Sequence, residues 1–141
     1  MPQDPYANFR FLVEIEGMTQ AGFTECSGLG ASVDVITYRE GGEPRTVRKL
    51  PGLVRYSNIV LRWGITDSDE LYQWFRGVVA GTIQRKNGSI ILLDQDGTPK
   101  VRWNFVRAWP ARWEGPALAG EGAQAAIETL EIAHEGIERA P

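Results

Sequence analysis

The sequence predicts a mainly β fold of six or seven strands, a small β-sandwich or partial barrel with one α-helix packed on one side and one long loop. Three observations predict it. Apolar and polar residues alternate repeatedly, as where Ile59, Leu61, Trp63 and Ile65 stand between Asn58, Arg62, Gly64 and Thr66, the period of a strand with one buried face. Only one segment has clear helical spacing. The composition, with 16 glycines and a single histidine in 141 residues, suits turns better than proton-transfer chemistry.

The length suits one domain, 1–141, able to bury about two thirds of the surface its unfolded chain exposes. A hydrophobic content of 43% with 23% charged residues is that of an ordinary globular chain. The formal net charge of -3 weighs against a dedicated nucleic-acid binder, which needs a basic excess or patch. Cys26 is the only cysteine, so no intrachain disulfide forms, and its strand-like context suits a small buried hydrophobe. No apolar run approaches the roughly 20 residues of a membrane span. The opening MPQDPYANF lacks the basic and then apolar pattern of a signal peptide. Synthesis in the cytoplasm, with no membrane insertion by the monomer, is the expectation.

Residues 1–6 read as an N-terminal arm, since Pro2 and Pro5 block regular pairing. Phe9, Phe11, Val13 and Ile15 then alternate with Arg10, Glu14 and Glu16 to give a first strand that ends at Gly17, with Leu12 apolar on its second face. Residues 23–27 and 32–38 form two more strands around the turn Gly28-Leu29-Gly30. A phosphate loop would need a third glycine and an amphipathic helix there, and both are missing.

The stretch 38–56, YREGGEPRTVRKLPGLVRY, holds Gly41, Gly42, Pro44, Pro51 and Gly52 among Arg45, Arg48, Lys49 and Arg55. It reads as a loop over 40–56, because it can neither propagate a helix nor sit inside a core. So long a loop is uncommon in a compact domain. Val47, Leu50, Leu53, Val54 and Tyr56 would be poor choices for a solvated linker, so an assembly loop competes with a plain surface loop.

After the strand that begins at Ile59 comes the helix. Asp67 is placed as N-cap with Glu70 three residues on, Leu71, Trp74, Phe75, Val78 and Val79 form one stripe, and Gly81 stops it. The pair Asp67 and Asp69 could be taken for metal ligands, but carboxylates at a helix start already answer the macrodipole. Residues 89–93 are an apolar run followed by Asp94-Gln95-Asp96-Gly97 and by alternating Val101, Trp103 and Phe105, a hairpin. The tetrapeptide is similar to the start of a calcium loop, but TPKVRW lacks the further oxygen ligands.

Trp103, Trp109 and Trp113 interleave with Arg102, Arg107 and Arg112, a pattern that could stack bases of a single strand. A protein interface or a core would use the same residues. In 125–137, Ile127, Leu130, His134 and Ile137 fit a helix stripe, while Leu130, Ile132 and His134 fit a strand; periodicity leaves both open. His134 has no serine, cysteine or carboxylate pair arranged as its partner in the sequence, so no enzyme, catalytic residue, metal or cofactor is expected.

Charge is unevenly spread. Arg39, Arg45, Arg48, Lys49, Arg55 and Arg62 face only Glu40 and Glu43 in the middle of the chain, while Glu121, Glu128, Glu131, Glu135 and Glu138 face Arg139 near its end. In a head-to-tail stack such an asymmetry would steer like subunits into polar order.

YREGG, RKLPG and YSNIVLRWGIT, together with FRFLVEIEG, AGFTECSGL and AIETLEIAHEGI, resemble in order the motifs of the tail tube proteins of contractile phage tails and of phage-like extracellular contractile injection systems. The resemblance covers about 6–137. It implies a ring-forming tail-tube fold, with 125–137 as strand, and a structural subunit of an inner tube. Stacked, hexameric rings would enclose a β-barrel lumen for DNA or protein cargo. The implied partners are further copies of the chain, a surrounding sheath protein, a baseplate or tube initiator and a terminator. The implied location is a virion tail or injection particle, released by lysis. Carried onto this sequence, the motif places the subunit or ring interface at Tyr38, Arg39, Glu40, Glu43, Arg45, Arg48, Lys49, Leu50, Pro51, Leu53 and Tyr56. A baseplate-proximal initiator ring of the same fold, a module for single-stranded nucleic acid and a hydrolase are the alternatives.

Overall fold

Ile59, Leu61 and Trp63 do share one buried face, and the strand that carries them is paired on both sides in the sheet. The computed structural model describes residues 10–18, 22–39, 41, 46–118, 120 and 126–141. Along them run β1 Phe11–Ile15, β2 Phe23–Ser27, β3 Ala31–Tyr38, β4 Arg48–Tyr56 and β5 Ile59–Gly64, then α1 Glu70–Val79, β6 Lys86–Leu93, β7 Pro99–Glu114, β8 Ile127–Ala133 and β9 Gly136–Arg139. The described residues thus hold nine strands, where the sequence led us to expect six or seven. The short β9 and the glycine- and proline-bearing β4 account for the difference. The predominantly β fold with one helix is as expected.

Seven strands form one antiparallel sheet in the order β1-β6-β7-β8-β5-β2, with β9 also along β7. The long β7 belongs to two halves of it. Residues Trp103 to Val106 pair with β9 and the same part of the strand pairs with β6, whereas Trp109 to Glu114 pair with β8. Arg107 at the join has φ 52, a left-handed conformation uncommon for a residue with a Cβ. Its amide donates to Asn87 Oδ1 at 2.9 Å, which supplies the bond that the interrupted ladder leaves open.

The core gathers Ile15 of β1, Ile59, Leu61 and Trp63 of β5, Ile90 of β6, Phe105 and Ala108 of β7, Leu130 and Ile132 of β8, and Leu71 and Trp74 of α1. Residues 127–133 are therefore strand, with Leu130 and Ile132 buried. Ile65 lies past the end of β5 and is half exposed, so the alternation overran the strand by one apolar residue.

The helix differs from expectation at its start. Asp69, not Asp67, is the N-cap, and its side chain makes no capping bond; it accepts instead from Gln73 Nε2 at 3.0 Å. Glu70 is already the first helical residue, so no capping box forms. The end is as predicted. Gly81, at φ 94, lets its amide reach Val78 O at 3.0 Å and that of Thr82 reach Gly77 O at 2.8 Å, which satisfies the last carbonyls. Leu71 and Trp74 are buried, Phe75 packs partly against the core, and Val79 is exposed, so the apolar stripe is narrower than its spacing suggests.

Candidate functional site

The segment read as a loop over 40–56 is ordered differently. Arg48–Tyr56 is a nine-residue strand, β4, paired antiparallel with β3 from Ala31↔Tyr56 to Tyr38↔Arg48. Pro51 and Gly52 do not prevent this. Among the described residues the strand has a neighbour on one side only, where proline is tolerated, and the register slips between Val33↔Val54 and Val35↔Pro51 at a bulge. At Gly52 a Cβ would lie 3.0 Å from Ile36 Cδ1, so the bare backbone lets the isoleucine cross the bulge.

Among the described residues this two-stranded sheet has no third strand. Val33, Val35, Ile36, Tyr38, Val47, Leu50, Leu53, Val54 and Tyr56 are all exposed on it or beside it, Val35 at 64% and Leu53 at 69%. Isolated pairs of strands are marginal in water, and an apolar patch of this kind marks an interaction surface. An ion pair braces it. Arg55 Nε donates to both oxygens of Asp34, at 2.9 and 3.0 Å. That hydrogen bond holds the Asp34 carboxyl below, and the Arg55 guanidinium above, their ordinary values.

The root of the hairpin is held to the main sheet. Ser57 N donates to Gly30 O at 3.1 Å, and the Tyr56 ring lies 5.6 Å from that of His134. Gly136 N donates to His134 Nδ1 at 3.2 Å, so Nε2 carries the proton and donates to Ser57 O at 2.9 Å. His134 is a structural link between the hairpin and the β8–β9 turn. Gly28 permits the close approach beneath it: its φ is +86 and a Cβ would fall 2.0 Å from Asn58 O.

Of the residues assigned to an interface from the sequence, Tyr38, Arg39, Arg48, Lys49, Leu50, Pro51, Leu53 and Tyr56 are exposed along this hairpin. Glu40, Glu43 and Arg45 lie outside the described residues, as do Phe9 and the arm over 1–6. The reading missed Val33, Val35 and Ile36. Their signal was present: β3 is apolar on both faces, which a strand with one solvated face is not.

The other candidates resolve into structure. Trp113 donates to Glu128 Oε2 at 2.7 Å and meets Tyr72 edge-on at 4.9 Å, while Trp103 packs against the core. Arg102 pairs with Glu14, Arg107 with Glu135 and Arg112 with Glu114, so these aromatic and basic groups do not form an open stacking platform. The acidic end of the chain is engaged as well, since Glu131 accepts from Asn58 and Glu135 pairs with Arg85 and Arg107. Asp94 and Asp96 close a turn by accepting the Thr98 amide. No group of three or more potential metal ligands occurs among the described residues, nor does any helix there have the length and apolarity to cross a membrane.

Comparison with known proteins bears on the same surface. Residues 7–138 match the family described as T4-like virus tail tube protein gp19. A chain of the anti-feeding prophage baseplate, 6-fold symmetrised, superposes with a TM-score of 0.86 at 28% identity, over 99% of this chain and 97% of that one. A chain of the PVC extracellular contractile injection system, from its sheath-tube complex in the extended state, gives 0.85 at 27% identity over 96% and 91%. At 17% identity Hcp1 from Flavobacterium johnsoniae, TM-score 0.52 over 91% and 94%, shares the fold. No protein with a curated description matches in sequence. The match over 7–138 and these structural relatives make the chain a member of the T4-like tail tube protein family, whose members are structural components of contractile tails and injection particles.

Proposed function

We propose that the chain is the repeating subunit of the inner tube of a contractile tail or injection system, stacked as hexameric rings around a lumen that conducts DNA or protein cargo. The observation that carries this reading is the β3–β4 hairpin, a strand pair whose apolar residues stand exposed and whose stability calls for covering surfaces. Tyr38, Arg39, Glu40, Glu43, Arg45, Arg48, Lys49, Leu50, Pro51, Leu53 and Tyr56 supply the contacts between subunits or rings. Pairing between copies along β1 and β2, the two ends of the strand order, closes each ring and removes its edges.

The tube performs no chemistry. A sheath protein surrounds it, a baseplate initiator starts it and a terminator caps it; relatives occur in baseplate, cap and sheath-tube assemblies. The protein is made in the bacterial cytoplasm and reaches its target in the assembled particle. The test is negative-stain electron microscopy over a concentration series, with light-scattering mass on the same samples. Hollow tubes or stacked rings are expected, and deletion of 43–53 abolishes them. A monodisperse monomer at every concentration, unchanged by a baseplate nucleus, overturns the proposal.

A further inference from the structure

The hairpin meets the main sheet at a short hinge. β4 ends at Tyr56 and β5 begins at Ile59, so only Ser57 and Asn58 separate the exposed strand pair from a core strand. The Nε2–H of His134 holds Ser57 O at 2.9 Å, and Asn58 Nδ2 donates to Glu131 at 2.8 Å. His134 is the single histidine of the chain, and histidine is the side chain whose ordinary change of charge falls between about pH 5 and 8. Its two ring nitrogens have opposite duties. Nδ1 keeps its lone pair to accept from Gly136 N at 3.2 Å, because a backbone amide can only donate. A second proton on the ring sets two N–H donors against each other across that distance. Either the ring turns and lets go of Ser57 O, or Gly136 withdraws from the ring.

We propose that His134 is a proton-operated latch: the neutral ring fastens the hairpin's hinge to the β8–β9 turn, and protonation frees it. The groups around the ring favour release. Tyr56 of β4 at 5.6 Å and Phe105 of β7 at 6.3 Å, between ring centroids, bring no carboxylate. Arg55 of β4 is paired with Asp34, Glu131 of β8 is turned to Asn58, and Glu135 of the β8–β9 turn is turned to Arg107 of β7 and to Arg85. Among the described residues no carboxylate hydrogen-bonds the imidazole to steady a second proton, and two guanidiniums lie just beyond Glu135 to oppose one. The link is present at mildly alkaline pH and is lost as pH falls. Its bearing on assembly rests on the tube reading: acid loosens the strand pair that other copies must meet in one orientation, so tubes grow less readily there.

NMR of the dilute, unassembled subunit tests the latch, since a lone histidine gives one imidazole signal. Between about pH 8 and 5.5 the Gly136 amide is expected to shift with the same midpoint as the ring. Over that range protection from exchange at Ser57 and Gly136, corrected for the intrinsic rate, is expected to fall about tenfold, while that of Leu61 in the core holds. His134→Gln keeps a donor for Ser57 O but takes up no proton, so its protection at Ser57 is expected to stay level; if that variant does not fold, the wild-type titration decides alone. Level protection in the wild type, or an equal fall in His134→Gln, overturns the latch. Sedimented tubes are expected to diminish in acid for the wild type only, and equal loss from both chains overturns the bearing on assembly. A chain that forms no tubes at either pH counts against the tube reading and leaves the result on the subunit standing.

Discussion

Phe105 lies over Gly88 of the neighbouring strand, its register partner, so closely that a Cβ on Gly88 would come 2.4 Å from the phenylalanine Cζ and 2.5 Å from Glu14 O. The phenylalanine is 1% exposed, and the backbone of β1 closes the other side. Gly88→Ala is therefore expected to destabilise the subunit by about 3 kcal/mol, the upper part of the range for overpacking a core. Urea unfolding of the unassembled chain measures it; an unchanged midpoint would show that β1 and β6 can move apart freely.

His134 joins two segments that are far apart in sequence, accepting from Gly136 N and donating to Ser57 O. His134→Leu keeps most of the bulk and removes both bonds. A loss of about 1–3 kcal/mol is expected, with faster amide exchange at Gly136. Unaltered exchange there would contradict the assigned tautomer and its role.

Burial, followed by the adjacent Glu25 carboxylate, pushes the Cys26 thiol up to about 11. The folded value lies above the unfolded one, so this contribution to stability is complete below the unfolded pKa and is lost as pH rises through about 11. At pH 8 the native thiol should react with iodoacetamide on the order of 100-fold more slowly than in urea. Equal rates would place Cys26 at the surface.

Asp96 behaves in the opposite sense. Hydrogen bonding with Asp94, then with Thr98, holds its carboxyl down to about 2. Its stabilising effect is present above the unfolded value of about 4 and is lost as pH falls through about 2. The Thr98 amide, which donates to Asp94 and Asp96 at 2.9 and 3.2 Å, is expected to shift in NMR spectra across that window. A shift centred near pH 4 would mean that the turn does not hold Asp96 as described.

Much of this fold was readable because each buried strand repeats its apolar residues every second position. Ile59, Leu61 and Trp63 located β5, Leu71 and Trp74 located the helix, and Gly81 marked its stop. Residues whose conformation depends on partners elsewhere were not readable. Pro51 and Gly52 look like strand breakers until an edge position and a bulge accommodate them. Asp67 looks like a cap until the chain begins its helix later. Arg107 gave no warning of its left-handed backbone, because Asn87, which steadies it, lies twenty residues earlier. The candidate surface was found through Leu50, Leu53 and Tyr56, which were implausible in a solvated loop. Val33 and Val35 were overlooked because alternation alone cannot distinguish a face turned to the core from one awaiting a neighbour.

The sixteen-residue β7 gives the subunit a mechanical character. One half of the strand is hydrogen-bonded to β6 and β9 and the other to β8, so a load entering through either half passes into the same backbone. Strands bonded side by side must shear several bonds together before they slip. The two halves of the sheet are thus coupled through one continuous backbone, with Arg107 at the elbow between them.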